Sequence, residues 1–122
     1  MDIVLWVLQV LLASAFLIAG VNHAFRYDQV KPRMSWVAAV PRGLVTFIGI
    51  CEILGAIGLI LPALTGIWPW LTPLAALGLV AIMLLAAAFH VTRSEYSSII
   101  TNLILLVLAA FLAYGRWMIE PF

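Results

Sequence analysis

Glu52 interrupts the run "GICEILGAIGLILP" (residues 49–62), which is otherwise apolar and glycine-rich. A bare carboxylate is costly in such surroundings, so this one is expected to be protonated or hydrogen-bonded and to face protein rather than lipid. Two purposes fit. It is a buried acid that exchanges a proton or anchors a polar ligand group, or it is a hydrogen-bonding group that holds helices in register. His23 could be its proton partner, a ligand-binding donor or a metal ligand; it could equally be an interfacial histidine bonded to a loop carbonyl. Asn22 adjoins it. His90 borders a polar loop, where solvation alone would account for it. Paired histidines can ligate haem iron, but the ligand set is too poor for haem or another metal, and no metal site is expected. Asn102 reads first as an interhelical hydrogen bonder. Cys51, the single cysteine, reads as a small buried apolar residue and permits no internal disulfide. There is no nucleophile elbow, and "GAIGLIL" follows no strand, so it is helix packing and not a phosphate loop.

The elements that must position these groups are long and apolar. Of the 122 residues, 66% are hydrophobic and 9% charged, far from the roughly 25% charged share of a soluble domain. A chain this small could not bury so much apolar surface in water. The composition predicts an integral membrane protein with a single transmembrane domain over residues 1–122. Spanning helices need about 20 largely apolar residues. Four segments qualify: Ile3–Phe25, Gly43–Leu61, Trp68–His90 and Tyr96–Trp117. "ASA" at 13–15 resembles a processing site, yet the start "MDIVLW" is acidic and the apolar run continues past it, so the first segment is read as a retained span. The net charge of +1 offers no patch for nucleic acid.

Each span puts its polar and small residues on one stripe, as expected for an all-α, antiparallel four-helix bundle in lipid. The first reads Gln9, Ala13, Phe16, Gly20, His23. The second reads Gly49, Glu52, Gly55, Gly58, the third Ala76, Leu79, Met83, Ala87, His90, and the fourth Glu95, Ser98, Asn102, Leu105, Ala109. At a rise of about 1.5 Å per residue Glu52 lies roughly 13 Å into its helix. Asn102 is shallower, and Asn22, His23 and His90 are near the same end. The polar side chains thus gather in one half of the bundle. The other half is expected to be aliphatic apart from Gln9.

Arg26, Lys31, Arg33, Arg42 and Arg93 fall in the first and third connections, against Arg116 alone on the opposite side. The positive-inside rule then places those loops in the cytoplasm and both termini outside. Trp6, Trp68, Trp70 and Trp117 mark the outer interface. Met34, Trp36, Val37 and Val40 could lie along the inner surface as a short interfacial segment, or form an ordinary loop with an aromatic anchor.

"FLIAGVNHAF" closing the first span resembles the DoxX-like family of small bacterial membrane proteins. So do "FIGICEILGAIGLILPALTGIWPWLTPLAALGL", "HVTRSEY" and "NLILLVLAAFLAYGR", which together cover nearly the whole chain. The resemblance implies a four-helix protein of the bacterial cytoplasmic (inner) membrane. The family name derives from a subunit linked to thiosulfate:quinone oxidoreductase, and other relatives are tied to quinone or thiol stress. The matching positions are Gly20, His23, Glu52, Gly55 and Pro62. Many relatives carry lysine where this chain has His23. Such a histidine–glutamate pair is neutralised more easily than a lysine–glutamate pair.

Three functions compete. The first is a quinone-associated accessory or redox-linked subunit with a polar pocket in the cytoplasmic half, in which Glu52, His23, Asn102, Asn22 and His90 contact the ligand; bound quinone is then its only cofactor, none being intrinsic. The second is a non-catalytic structural or assembly subunit beside a larger membrane complex, or a homo-oligomer. The third, a proton or small-solute carrier, is disfavoured because no inverted repeat is visible. Enzymatic activity is left open.

Overall fold

The computed structural model describes residues 1–32 and 40–121. Four long helices dominate: α1 (Asp2–Phe25), α3 (Arg42–Thr65), α4 (Leu71–Thr92) and α5 (Tyr96–Tyr114). A short helix, α2 (Tyr27–Val30), follows α1, and a π-helical turn (Gly115–Ile119) extends α5. All four long helices are long and apolar enough to cross a membrane. This is a multi-pass membrane bundle. Large apolar side chains such as Ile3, Leu54, Leu85 and Val107 point outward, an arrangement suited to lipid and not to water.

In chain order, α1 packs on α3, α3 on α4 and α4 on α5, with lighter contact between α1 and α5. The molecule is thus two antiparallel hairpins, α1/α3 and α4/α5. The stripes of α1 and α4 read from the sequence are buried at every position: Gln9, Ala13, Phe16, Gly20 and His23, and Ala76, Leu79, Met83, Ala87 and His90. Phe16, Leu12, Leu59, Leu79 and Leu112 fill the centre.

Close backbone approach sets the α1/α3 pair. A Cβ on Gly49 would sit 2.5 Å from the Ala24 nitrogen and 2.6 Å from the Gly20 carbonyl oxygen. Only glycine permits that crossing. The stripe Gly49, Glu52, Gly55, Gly58 does not stay on one partner. Steps of three slip by about 60° each around a helix of 3.6 residues per turn. Its lower end therefore meets α1, while Gly55 faces Leu79 and Gly58 faces Ala75 of α4.

Several boundaries differ from the sequence reading. The second span was expected to stop at Leu61, before Pro62. Instead α3 runs through a buried Pro62 to Thr65 and ends at Gly66, whose φ of 71° is the left-handed cap glycine supplies. A proline inside a helix deprives the carbonyl four residues earlier of its donor. Here that carbonyl, Gly58 O, accepts from Thr72 Oγ1 of α4 at 3.3 Å. The third span was expected from Trp68, but Trp68 adopts a φ of 50° in the turn and α4 starts at Leu71. The fourth was expected to remain α-helical to Trp117, but widens to π geometry from Gly115.

The half of the bundle expected to be aliphatic apart from Gln9 also buries Thr72 and Arg116. Arg116 Nε donates to Gln9 Oε1 at 2.7 Å, and its Nη1 donates to Asp2 Oδ1 at 2.7 Å and to Glu120 O at 3.1 Å. Gln9 Nε2 in turn donates to Leu59 O at 2.7 Å. This chain of bonds ties the end of α5 to α1 and α3. At the opposite, basic end, the Tyr27 ring lies under Arg42 (4.9 Å) and Lys31 (5.7 Å) and packs on Val45. Of the interfacial segment read at Met34, Trp36, Val37 and Val40, the first three lie outside the described residues, and Val40 packs on Val45.

Candidate functional site

His23 and Glu52 meet because of how the glycine crossing and helix geometry combine. Each lies three residues beyond a crossing glycine, Gly20 on α1 and Gly49 on α3. The helices are antiparallel, so His23 lies nearer the basic end and Glu52 deeper. Side chains lean toward the N-terminus of their own helix. His23 therefore leans inward and Glu52 leans toward the basic end, and they converge. His23 Nδ1 and Glu52 Oε1 are 2.7 Å apart, with only 9% and 4% of the two side chains exposed. One proton lies between them, carried by the imidazole or by the carboxyl group.

This pair forms part of the wall of a cavity of about 610 Å³. The cavity occupies the half of the bundle that carries Arg26, Lys31, Arg42 and Arg93, and all four long helices line it. Its walls are mostly apolar, with Phe16, Phe47, Met83, Phe89 and Leu105 among them. Of the sequence candidates, Glu52, His23, His90 and Asn102 are brought together around it. Asn22 is not. It is half-buried beside the rim, where its Oδ1 accepts from Arg26 Nη1 at 3.5 Å.

Asn102 was read first as an interhelical hydrogen bonder. No such bond is found among the described residues. Its Nδ2 is buried with no hydrogen-bond partner among the described residues, and Glu52 is bonded to His23. His90 was read as solvated by the adjoining loop. It is buried, and its Nδ1 lies 2.8 Å from Glu95 Oε1, which also accepts from Arg93 Nε at 3.0 Å. The turn makes this possible: Ser94 takes a φ of 55°, and the Glu95 amide bonds back to His90 O at 3.1 Å. Sequence reading placed Glu95 on a helix stripe and missed this pairing. The signal was the spacing in "HVTRSE", five residues with a polar turn between.

Thr101, Ser97 and Ser98 of α5 and Cys51 of α3 complete the functional groups on the wall. Among the described residues no three His, Cys, Asp or Glu side chains converge to hold a metal ion. The arrangement offers apolar walls, a hydrogen-bond donor at Asn102 Nδ2 that is unpaired among the described residues, and a buried ionisable pair at His23–Glu52.

No curated protein and no solved structure matches the chain. The sequence profile of the DoxX-like family matches residues 7–112, a stretch that includes all four candidates on the cavity wall. On that extent of match, the chain belongs to the DoxX-like family.

Proposed function

We propose that the protein holds a lipid-soluble quinone in the cavity and acts as an accessory or redox-linked subunit beside a partner that supplies electrons. The observation that carries this reading is the buried His23–Glu52 pair on the wall of a mostly apolar cavity. A flat ring with carbonyl oxygens suits such a site: apolar walls take the ring and a few convergent polar groups orient it. Asn102 Nδ2 is a donor for one carbonyl oxygen. The His23–Glu52 pair can take or give the proton that accompanies a change of redox state. By the positive-inside rule the cavity lies at the cytoplasmic side of a bacterial inner membrane.

The rival reading, a structural subunit of a larger complex, has its own support. A lipid-facing groove between α1 and α3, about 530 Å³ and lined by Ala13, Ser14 and Ala56 among larger aliphatic side chains, would accept a partner helix. One preparation separates the two. The protein is purified in mild detergent and its bound small molecules are extracted and identified. Quinone near one per chain, lost in Asn102→Leu, is the expected result. A stoichiometric partner protein with no quinone would favour the structural reading.

A further inference from the structure

The α3–α4 seam changes character along its length. Toward the Arg116 end it is shut: a Cβ on Gly58 would lie 2.8 Å from Ala75 Cβ, and one on Gly55 2.7 Å from Leu79 Cδ2. The same faces continue toward the basic end. On α3 the stripe through Gly55 runs on through Cys51, Ile48 and Leu44; on α4 the stripe through Leu79 runs on through Ile82, Ala86 and Phe89. All six of these residues line the cavity. The two helices therefore part there, and cavity replaces contact. Beside this opening Phe47 and Leu85 also line the cavity, yet 63% and 72% of their surface faces outward. Phe47 and Leu85 thus join the cavity wall to the outer surface, and both are apolar.

The opposite side of the cavity has a different chemistry. Between α1 and α5 it is lined by Ala15, Ala19, Ser97, Ser98, Thr101 and Asn102; Ala15, Ser97 and Thr101 are exposed as well, so this side also reaches the surface, but past hydroxyl groups. Most polar groups thus lie on the α1, α5 and inner α3 walls, while the α3–α4 side is apolar apart from the Cys51 thiol and from His90, which is tied to Glu95. A ligand that fits both must be amphiphilic.

We infer that the α3–α4 opening is a lateral port to the bilayer, through which the ligand enters and leaves its hydrocarbon chain between Phe47 and Leu85, with its polar ring toward Asn102 and His23–Glu52. This deepens the reading of the cavity as a ligand site and rests on it, adding that the ligand is chain-bearing and comes from lipid and not from water. Burial of a chain along Leu44, Phe47, Leu85 and Phe89 removes no polar group from solvent, so the port favours hydrocarbon over any charged solute.

Cys51 stands on the port wall and is the single cysteine of the chain, so the native protein carries its own reporter. In proteoliposomes, N-alkylmaleimides and a sulfonated maleimide are applied to both faces and alkylation of Cys51 is followed by mass. Alkylation is expected to quicken with chain length, by about fourfold per methylene from partitioning into the bilayer, with the sulfonated reagent slowest. Ala86→Phe, which fills the seam, slows the alkyl reagents by about tenfold, since a packed seam leaves no path. Leu85→Ala, which widens it, quickens them, and Ala15→Phe on the α1–α5 side leaves them unchanged. The port is overturned if the sulfonated reagent is as fast, if no reagent reaches Cys51, or if Ala15→Phe slows alkylation while Leu85→Ala has no effect. None of these measurements needs the ligand. Absence of any quinone in the purified protein would sink the ligand reading by itself, whatever Cys51 reports.

Discussion

At the scale of single residues, the His23–Glu52 pair separates structure from chemistry. Glutamine at position 52 can still hydrogen-bond to His23 Nδ1, by its carbonyl to an N–H or by its amide to a lone pair. It cannot carry the exchanged proton. Glu52→Gln should therefore fold with a melting temperature close to that of the wild type, bind quinone, and lose the quinone-linked activity. Glu52→Leu removes the bond and leaves His23 without its carboxyl partner, a loss of about 1–3 kcal/mol. Thermal denaturation in detergent and a quinone-reduction assay with the partner present check both. If Glu52→Gln retained full activity, the pair would be structural only. Asn102 makes the contrasting case. With no hydrogen-bond partner for its Nδ2 among the described residues, Asn102→Leu should not weaken the bundle, as it would if the amide bridged two helices.

At the scale of helices, stability rests on backbone approach and on re-satisfied carbonyls rather than on apolar burial, because lipid tails are as apolar as leucine. Gly49→Ala places a methyl group against the backbone of α1, where the nearest atoms are the Ala24 nitrogen and the Gly20 oxygen. Neither can move without the helix. A cost of about 1–3 kcal/mol and separation of His23 from Glu52 are expected. Gly78→Ala is the control: nothing lies within 4 Å of its added Cβ, so it should be neutral or slightly stabilising. Equal losses in the two variants, measured by thermal unfolding, would show that the crossing is not special. Pro62 offers a second test. Because it withholds the donor that Gly58 O needs, Thr72→Val should cost about 1 kcal/mol. In a Pro62→Ala background, where residue 62 regains its N–H, the same change should cost less. A double-mutant cycle with no coupling between Pro62 and Thr72 would contradict this assignment.

At the scale of the whole molecule, two hairpins are pinned together at one end and parted at the other. The pinned end carries the Asp2–Arg116–Gln9 chain of bonds and the Gly58–Ala75 contact; the parted end holds the cavity and the basic residues. The basic residues predict that the parted end faces the cytoplasm. On a Cys51→Ala background, Ser94→Cys at the parted end should be labelled only from the cytoplasmic side and Glu120→Cys only from outside. Labelling of Ser94→Cys from the outside would invert the molecule and move the cavity to the other face.

The number and class of the spanning helices were determined by the sequence itself, because apolar runs of this length have one stable form in lipid. So were the inward stripes of α1 and α4, since periodic placement of small and polar residues leaves no other face to bury. Glu52 and His23 were legible as candidates for a related reason: an ionisable side chain in an apolar helix is conspicuous in any sequence. Their pairing was implied by the family resemblance but left open by the residues themselves, because it depends on which residues of α1 stand level with which residues of α3. Only the Gly20–Gly49 crossing decides that level. Arg116 looked like a topological marker and is a buried tie, because the π-helical turn rotates it onto Gln9. Pro62 looked like an end to α3 and lies within it, because Thr72 of another helix supplies the missing donor. The cavity too belongs to the tertiary structure. A run of residues can record which face of α3 meets α4, but not where the two helices cease to touch. That is set by glycines at one end of the seam and larger side chains at the other, acting across the gap between helices.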